Sequence, residues 1–168
     1  MHNSDDADPA PGSGSMSWSE GKLAREPDAL AHSFQEQLEG QQILQRILVV
    51  EDDPTLATLE AEILTAHGYS VVTVNSGELA IATLRRSIPD LVVLDLELTG
   101  DINGWDVLLM LRTSSAIPVL LTTSSTGEVR KYIHSRGETR LTLDHLPKPY
   151  PMQTFLKRVK RLLSTATG

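Results

Sequence analysis

The chain lacks cysteine, long apolar runs and a signal peptide, and each absence excludes a class of protein. Among its 168 residues there is no cysteine, so disulfide bonds and thiolate chemistry are excluded and a cytoplasmic location is the default expectation. No apolar run approaches the roughly 18 residues that span a bilayer. The first residues do not have the charged-then-apolar form of a signal peptide. We therefore expect no membrane contact and no secretion.

An excess of positive charge is also absent from the part of the chain with a regular apolar pattern. Residues 1–45 hold eight acidic and two basic residues, a net charge of −6, whereas residues 46–168 hold fourteen acidic and thirteen basic residues, a net charge of −1. A nearly neutral domain lacks the electrostatic signature of nucleic-acid binding. No nucleic-acid partner is therefore expected.

The first 45 residues have little apolar surface to bury. Residues 1–19 are rich in Asp, Pro, Gly and Ser, a composition typical of disorder. Within residues 26–45, Leu30, Phe34 and Leu38 recur four apart, which predicts a short amphipathic helix. Two interpretations remain open: a marginal helix in solvent, or a helix that docks on a partner. We predict that residues 1–45 form a disordered acidic N-terminal extension around this helix.

Short apolar segments alternate with segments of helical periodicity between residues 46 and 168. The predicted strands are residues 47–50, 71–74, 91–94, 118–121 and 141–146, and a helix follows each of them. This alternation predicts an α/β domain with a doubly wound, five-stranded parallel sheet and five helices on its two faces. The inward face of the first of these helices is predicted to consist of Leu56, Leu59, Ile63 and Leu64.

Charged or hydroxyl side chains follow four of the predicted strands. Glu51 and Asp52 follow the first, Asp95 the third, Thr123 the fourth and Lys148 the fifth. Because the carboxyl ends of parallel strands share one edge of a sheet, we expect these side chains to converge. Clustered carboxylates repel one another unless a cation neutralises them, and Mg²⁺ prefers such oxygen ligands. A carboxylate can also attack phosphorus, so this edge is predicted to support Mg²⁺-dependent phosphoryl transfer.

Four motifs at these strand ends resemble the receiver domain of bacterial two-component response regulators. The resemblance extends over residues 46–163, and the motifs occur in the expected order at the expected separations. They read Ile-Leu-Val-Val-Glu-Asp-Asp-Pro at 47–54, Asp-Leu-Val-Val-Leu-Asp at 90–95, Ile-Pro-Val-Leu-Leu-Thr-Thr-Ser at 117–124 and Leu-Pro-Lys-Pro-Tyr at 146–150. The resemblance implies a flavodoxin-like receiver fold over residues 46–168.

The resemblance also implies a metal site around a phosphoryl acceptor. Asp95 would accept a phosphoryl group from the phosphohistidine of a partner kinase. Asp52 would bind Mg²⁺ directly and Glu51 through a water molecule, while Asp95 and the backbone carbonyl of Glu97 would complete the protein ligands.

Three further residues take roles that the resemblance implies. Thr123 would be the switch hydroxyl that donates to the phosphoryl group, and Lys148 would form an ion pair with it across a cis Lys148–Pro149 bond. His145 stands at the family's switch aromatic position. We expect its ring to swing between buried and exposed rotamers and to titrate near neutrality.

The loop after Asp95 departs from the family pattern. Thr99 stands where the family usually has proline. The glycine that opens the next helix usually comes eight residues after the acceptor, but here Asn103 holds that place and Gly104 follows it. The loop, which helps to shape the pocket, is therefore expected to be one residue longer.

Taken together, these features predict a stand-alone receiver that signals through protein–protein contact. The expected partners are a sensor histidine kinase or a phosphotransfer protein, and a downstream protein target. The only chemistry expected is Mg²⁺-dependent self-phosphorylation and autodephosphorylation, so the chain is not expected to be an enzyme acting on a metabolite. The alternatives are a receiver-like interaction module without phosphorylation, a fragment of a larger regulator or hybrid kinase, and a small phosphohydrolase.

Overall fold

The computed structural model describes residues 27–40 and 43–167, and the chain divides into one compact unit up to residue 42 and a second from residue 43. Within the first unit, helix α1 spans Pro27–Glu39 in the segment where the sequence predicts a helix. The predicted disorder of residues 1–19 lies outside the described residues. Docking of α1 on a partner stays a prediction.

The second unit is a parallel α/β sheet. Its strands are β1 (Arg46–Val50), β2 (Ser70–Val74), β3 (Leu91–Asp95), β4 (Val119–Thr123) and β5 (Leu143–Pro147). The helices after them are α2 (Pro54–Ala66), α3 (Gly77–Arg86), α4 (Gly104–Arg112), α5 (Gly127–Arg136) and α6 (Met152–Ala166). All strand pairs are parallel and the order is β2-β1-β3-β4-β5, which confirms the predicted doubly wound fold.

The core lies on both faces of the sheet because the central strands are buried on both faces. Side chains alternate along β1, so that Leu48 and Val50 pack toward α3, α4 and α5, whereas Ile47 and Val49 pack toward α2 and α6. Every residue of β3 and β4 is buried. A run of apolar residues is therefore required in these strands, and the polar residues at their ends are fixed at one edge of the sheet.

Helix α2 contradicts one prediction from the sequence. Leu59, expected to face the core, is 46% exposed, whereas the neighbouring Glu60 is fully buried. The buried stripe of α2 runs through Glu60 and Leu64. Burial of a carboxyl group is tolerated here because the hydroxyl of Tyr150 donates a hydrogen bond to Glu60.

The N-terminus of α4 shows how the longer loop after β3 is accommodated. Asn103 is the N-cap: its side chain accepts from the N–H of Asp106, and the Asp106 carboxylate accepts from the N–H of Asn103. The next residue, Gly104, lies directly against the backbone of Asp95 and Leu96. The close-packed glycine of this loop is therefore Gly104, one residue after Asn103, and no side chain fits there.

At the opposite edge of the sheet, the guanidinium group of Arg112 joins the amino ends of β4 and β5. It donates to the carbonyl oxygens of Ile117, at 2.8 Å, and Thr142, at 2.9 Å. Its Nε also forms a 2.7 Å ion pair with Glu138. Because the pair is largely shielded from solvent, these contacts fix the two strand starts relative to α4.

Helices of the described segments, residues 27–40 and 43–167, are all too short or too polar to cross a membrane.

Replacing Gly104 by alanine is expected to destabilise the domain. A Cβ at this position would overlap the carbonyl oxygen of Asp95 and lie 2.6 Å from the Cα of Leu96, so backbone would have to move. We expect a loss of about 1–3 kcal/mol in the free energy of unfolding, measured by urea denaturation. Gly127→Ala is the matched control, because a Cβ there has no heavy atom within 4 Å. Equal stability of the two variants would contradict this account of the loop.

Candidate functional site

Three carboxylates converge at the carboxyl edge of the sheet, as the sequence predicts. One carboxylate oxygen from each of Glu51, Asp52 and Asp95 lies within 4.8 Å of the others. Glu51 and Asp95 are buried, and Asp52 is partly exposed. Burial raises the pKa of Glu51 well above its usual range. A hydrogen bond from the N–H of Asp53 lowers this pKa, whereas the negative charge of Asp95 raises it further. Negative charge in this cluster is therefore unfavourable because of burial and repulsion, and a cation would offset both.

Lys148 supplies the nearest positive charge to this cluster. Its Nζ lies 3.1 Å from Glu51 Oε2 and 3.2 Å from Asp95 Oδ2. Partial burial opposes its ionisation, but the hydrogen bond to Glu51 and the charge of Asp95 prevail and raise the pKa of Lys148. The other oxygen of Asp95, Oδ1, accepts from the N–H of Glu97 at 2.9 Å. Asp95 is thus held at both oxygens, in a fixed orientation at the end of β3. The peptide bond between Lys148 and Pro149 is cis, as the resemblance implies.

The loop residue Thr99 makes a contact that the family's usual proline could not make. Both its N–H and its hydroxyl donate to Asp52 Oδ2, each at 3.1 Å. Proline has neither donor. Burial acts in the opposite direction, but these two bonds hold the pKa of Asp52 below its usual range. Thr99 therefore connects the longer loop to the predicted metal-binding acid.

The side chain of Glu97 turns toward the loop after β4. Its Oε1 accepts from the N–H of Ser124 at 2.7 Å and lies 3.2 Å from the Thr123 hydroxyl, and its Oε2 accepts from the Ser124 hydroxyl at 3.0 Å. Burial is outweighed by these bonds, which lower the pKa of Glu97. The carboxylate is therefore charged and engaged with Thr123 and Ser124. Use of the Glu97 backbone carbonyl as a metal ligand stays a prediction.

A second polar group lies buried beside the site. Glu60 on α2 accepts from the Tyr150 hydroxyl, while its other oxygen and the hydroxyl of Thr122 have no hydrogen-bond partner among the described residues. Burial raises the pKa of Glu60 to about 7, against the effect of the Tyr150 hydrogen bond. The charge of Glu51 adds to this rise. The hydrogen bond between Glu60 and Tyr150 joins α2 to the segment that carries Lys148.

His145 lies half-buried on β5, between its neighbour Asp144 and several arginines. Burial lowers the pKa of His145, and although Asp144 opposes this, the charges of Arg130, Arg158 and Arg140 add to it. Asp144 itself forms ion pairs with Arg158, at 2.8 Å, and with Arg161. The lowered pKa favours the neutral ring, whose role as a switch stays a prediction.

The structure brings the predicted site residues to one edge and adds partners that the motifs do not reveal. The convergent residues are Glu51, Asp52, Asp95, Glu97, Thr123 and Lys148. Thr99, Ser124, Glu60 and Tyr150 were missed as partners of the site. For Thr99 and Ser124 a signal was present, since each is a hydroxyl residue in a loop beside a predicted site residue. No such signal exists for Glu60, because its partner, Tyr150, is distant in sequence.

Comparison with known proteins points to one family. A family model described as the response regulator receiver domain matches residues 47–160. The chain is 36% identical over 119 residues to the DNA-binding response regulator MtrA of Mycolicibacterium smegmatis, covering 71% of this chain and 50% of that protein. The chain therefore spans about half the length of the curated relatives it matches.

Solved structures agree in fold. The signal receiver domain of a putative Luxo repressor protein from Vibrio parahaemolyticus superposes with a TM-score of 0.65 at 28% identity, covering 74% of this chain and 94% of that one. The BeF3-activated N-terminal receiver domain of Klebsiella pneumoniae RstA superposes with a TM-score of 0.61 at 31% identity, covering 71% of this chain and 98% of that one. Both similarities extend over somewhat less than three quarters of this chain.

The buried carboxyl of Glu60 predicts a pH-dependent stability. Its pKa is about 7 in the folded chain against an ordinary 4.5, so its contribution is fully present below pH 4.5 and is lost as the pH rises through 7. Glu60→Gln keeps an acceptor for Tyr150 and removes the titration. We expect the free energy of unfolding of the variant to gain about 3 kcal/mol relative to wild type between pH 4.5 and 8.

Urea denaturation across this pH range measures the difference. Glu62→Gln, an exposed position on the same helix, is the matched control. A difference between wild type and Glu60→Gln that does not change with pH would show that Glu60 keeps an ordinary pKa.

Proposed function

The chain belongs to the response regulator receiver domain family, and from this premise we propose that it serves two-component phosphorelay signalling with Asp95 as its phosphoryl acceptor. The observation that carries the proposal is the position of Asp95. It is a buried carboxylate at the end of β3, within 3.2 Å of the Lys148 ammonium and among the oxygens of Glu51 and Asp52. Glu51, which follows β1, is also buried and lies 3.1 Å from Lys148, but it belongs to the acid pair expected to hold the metal.

The residues of the chain support transfer to Asp95 in distinct ways. An oxygen of Asp95 forms the new bond to phosphorus while the bond from phosphorus to the donor breaks, and the donor keeps that electron pair. Lys148, already paired with Asp95 and Glu51, offsets the charge on the transferred oxygens. The N–H of Glu97 fixes the Asp95 carboxylate for attack. Thr123 donates a hydrogen bond to the phosphoryl group once it is in place.

The donor set suits a divalent cation. Three carboxylates that repel one another, one with its pKa raised, are the hard oxygen ligands that Mg²⁺ takes. Asp52 and Asp95 would hold the ion directly, Glu51 through water, and the Glu97 carbonyl would complete the protein ligands. When bound, the ion supplies positive charge against the phosphoryl oxygens. The chain's own chemistry is then confined to self-phosphorylation and autodephosphorylation.

Signalling partners are inferred from the family and from charge. A sensor histidine kinase or phosphotransfer protein would supply the phosphoryl group in the cytoplasm, and a downstream protein target would read the face of α5, β5 and α6, where His145 lies. Because residues 46–168 carry a net charge of only −1, we expect this domain itself not to bind nucleic acid. The named relative MtrA is a DNA-binding protein twice the matched length, so this expectation concerns the receiver domain alone.

Phosphorylation of Asp95 is tested with a small-molecule donor. Wild-type protein incubated with acetyl phosphate and Mg²⁺ is expected to gain the mass of one phosphoryl group, measured by intact mass spectrometry, whereas Asp95→Asn is expected to gain none. Asp101→Asn, an exposed acid of the following loop, is the matched control and should behave as wild type. No adduct on folded wild-type protein would favour the receiver-like interaction module that acts by assembly alone.

The role of Lys148 gives a second prediction. Lys148→Met retains the apolar stem and removes the charge that lies against Asp95 and Glu51. We expect the rate of phosphorylation by acetyl phosphate to fall on the order of a hundredfold, because a preorganised charge at the transferred group is lost. Mg²⁺ binding, followed by isothermal titration calorimetry, should persist. A variant phosphorylated at the wild-type rate would assign Lys148 a structural role only.

A further inference from the structure

The loop after β4 presents three hydrogen-bond donors to the site, and one side chain already occupies them. These loop donors are the hydroxyl of Thr123 and the N–H and hydroxyl of Ser124. All three lie within 3.2 Å of the carboxylate of Glu97. The backbone donor makes the shortest of the three contacts, at 2.7 Å, so the Glu97 carboxylate is held by charge-assisted hydrogen bonds to this loop.

The loop donors cannot serve Glu97 and a phosphoryl group at the same time. Each N–H or O–H group has one hydrogen, and the proposed function requires the Thr123 hydroxyl to donate to the phosphoryl oxygens. That hydroxyl now lies 3.2 Å from Glu97 Oε1 and 3.1 Å from the Ser125 carbonyl oxygen. A phosphoryl group bound to the same donors would also bring its negative charge close to the Glu97 carboxylate, and like charges repel.

We propose that the Glu97 carboxylate is an internal competitor of the phosphoryl group, bound to the loop donors in the unphosphorylated chain and displaced when Asp95 is phosphorylated. This inference rests on the proposed phosphorylation of Asp95. Glu97 thereby sets the affinity of the site for phosphoryl-like anions. Its side chain keeps the Thr123–Ser124 loop in place until the phosphoryl group arrives, and its release distinguishes the two states.

The sign of the effect separates competition from structural support. If Glu97 only supported the loop, removing it would loosen the loop donors and weaken anion binding. If Glu97 competes, removing it frees the donors and strengthens binding. Glu97→Gln weakens the hold on the loop and Glu97→Ala removes it, so the affinity should rise in the order wild type, Glu97→Gln, Glu97→Ala.

The probe is beryllofluoride, titrated in the presence of Mg²⁺ and followed by the ¹⁹F resonance of the bound species. We expect the half-saturating concentration to fall about threefold to tenfold in Glu97→Ala, the range for charged hydrogen bonds at a partly exposed position. Asp101→Asn removes one negative charge from the same exposed loop and should leave the affinity unchanged. Weaker or unchanged binding by both Glu97 variants would overturn the proposal.

A double-mutant cycle separates competition from plain charge repulsion. Ser124→Ala removes one loop donor to Glu97, so removing Glu97 in this background should increase the affinity less than it does in wild type. An equal increase in both backgrounds would show that Glu97 acts by repulsion and would overturn the proposal. Absence of beryllofluoride binding by wild type and all variants would instead overturn the proposed function itself.

Discussion

Repulsion between carboxylates gathered at one edge of the sheet is the constraint on which the rest of the domain depends. Glu51 and Asp95 are almost fully buried and lie within reach of Asp52. Such a cluster is tolerated only because an ammonium group, backbone N–H groups and loop hydroxyls are directed at it. The parallel fold supplies this arrangement, since it brings the ends of β1, β3, β4 and β5 together while their apolar bodies fill the core.

The same dependence of carboxylates on hydrogen-bond donors extends to the acids around the cluster. Glu97 is ionised through the donors of the neighbouring loop, and Asp52 through Thr99. Glu60 is the contrasting case, because a single phenol hydroxyl does not replace the water it has lost. For Asp52 and Glu97 the hydrogen-bond donors outweigh burial, whereas for Glu60 burial outweighs its one donor.

Periodicity and motif order predicted the fold and the convergence of the main site residues because both depend on features local in sequence. Buried strands need apolar runs, and in a parallel sheet the residue after each run has only one edge to occupy. The prediction for Leu59 of α2 was wrong: Leu59 is exposed and Glu60 is buried in its place, with a partner, Tyr150, that lies ninety residues away. The direction of the Glu97 side chain was equally beyond prediction, because it depends on donors contributed by the loop after β4.

The contacts of Arg112 have a mechanical consequence. They fasten the amino ends of β4 and β5 to α4, at the edge of the sheet farthest from the acids. Each strand is therefore fixed at its amino end, while its carboxyl end, at Thr123 in β4 and Pro147 in β5, lies at the site. These hydrogen bonds oppose sliding of the whole strand. We therefore expect a displacement caused by chemistry at the carboxyl ends to be taken up by the loops and helices that follow each strand.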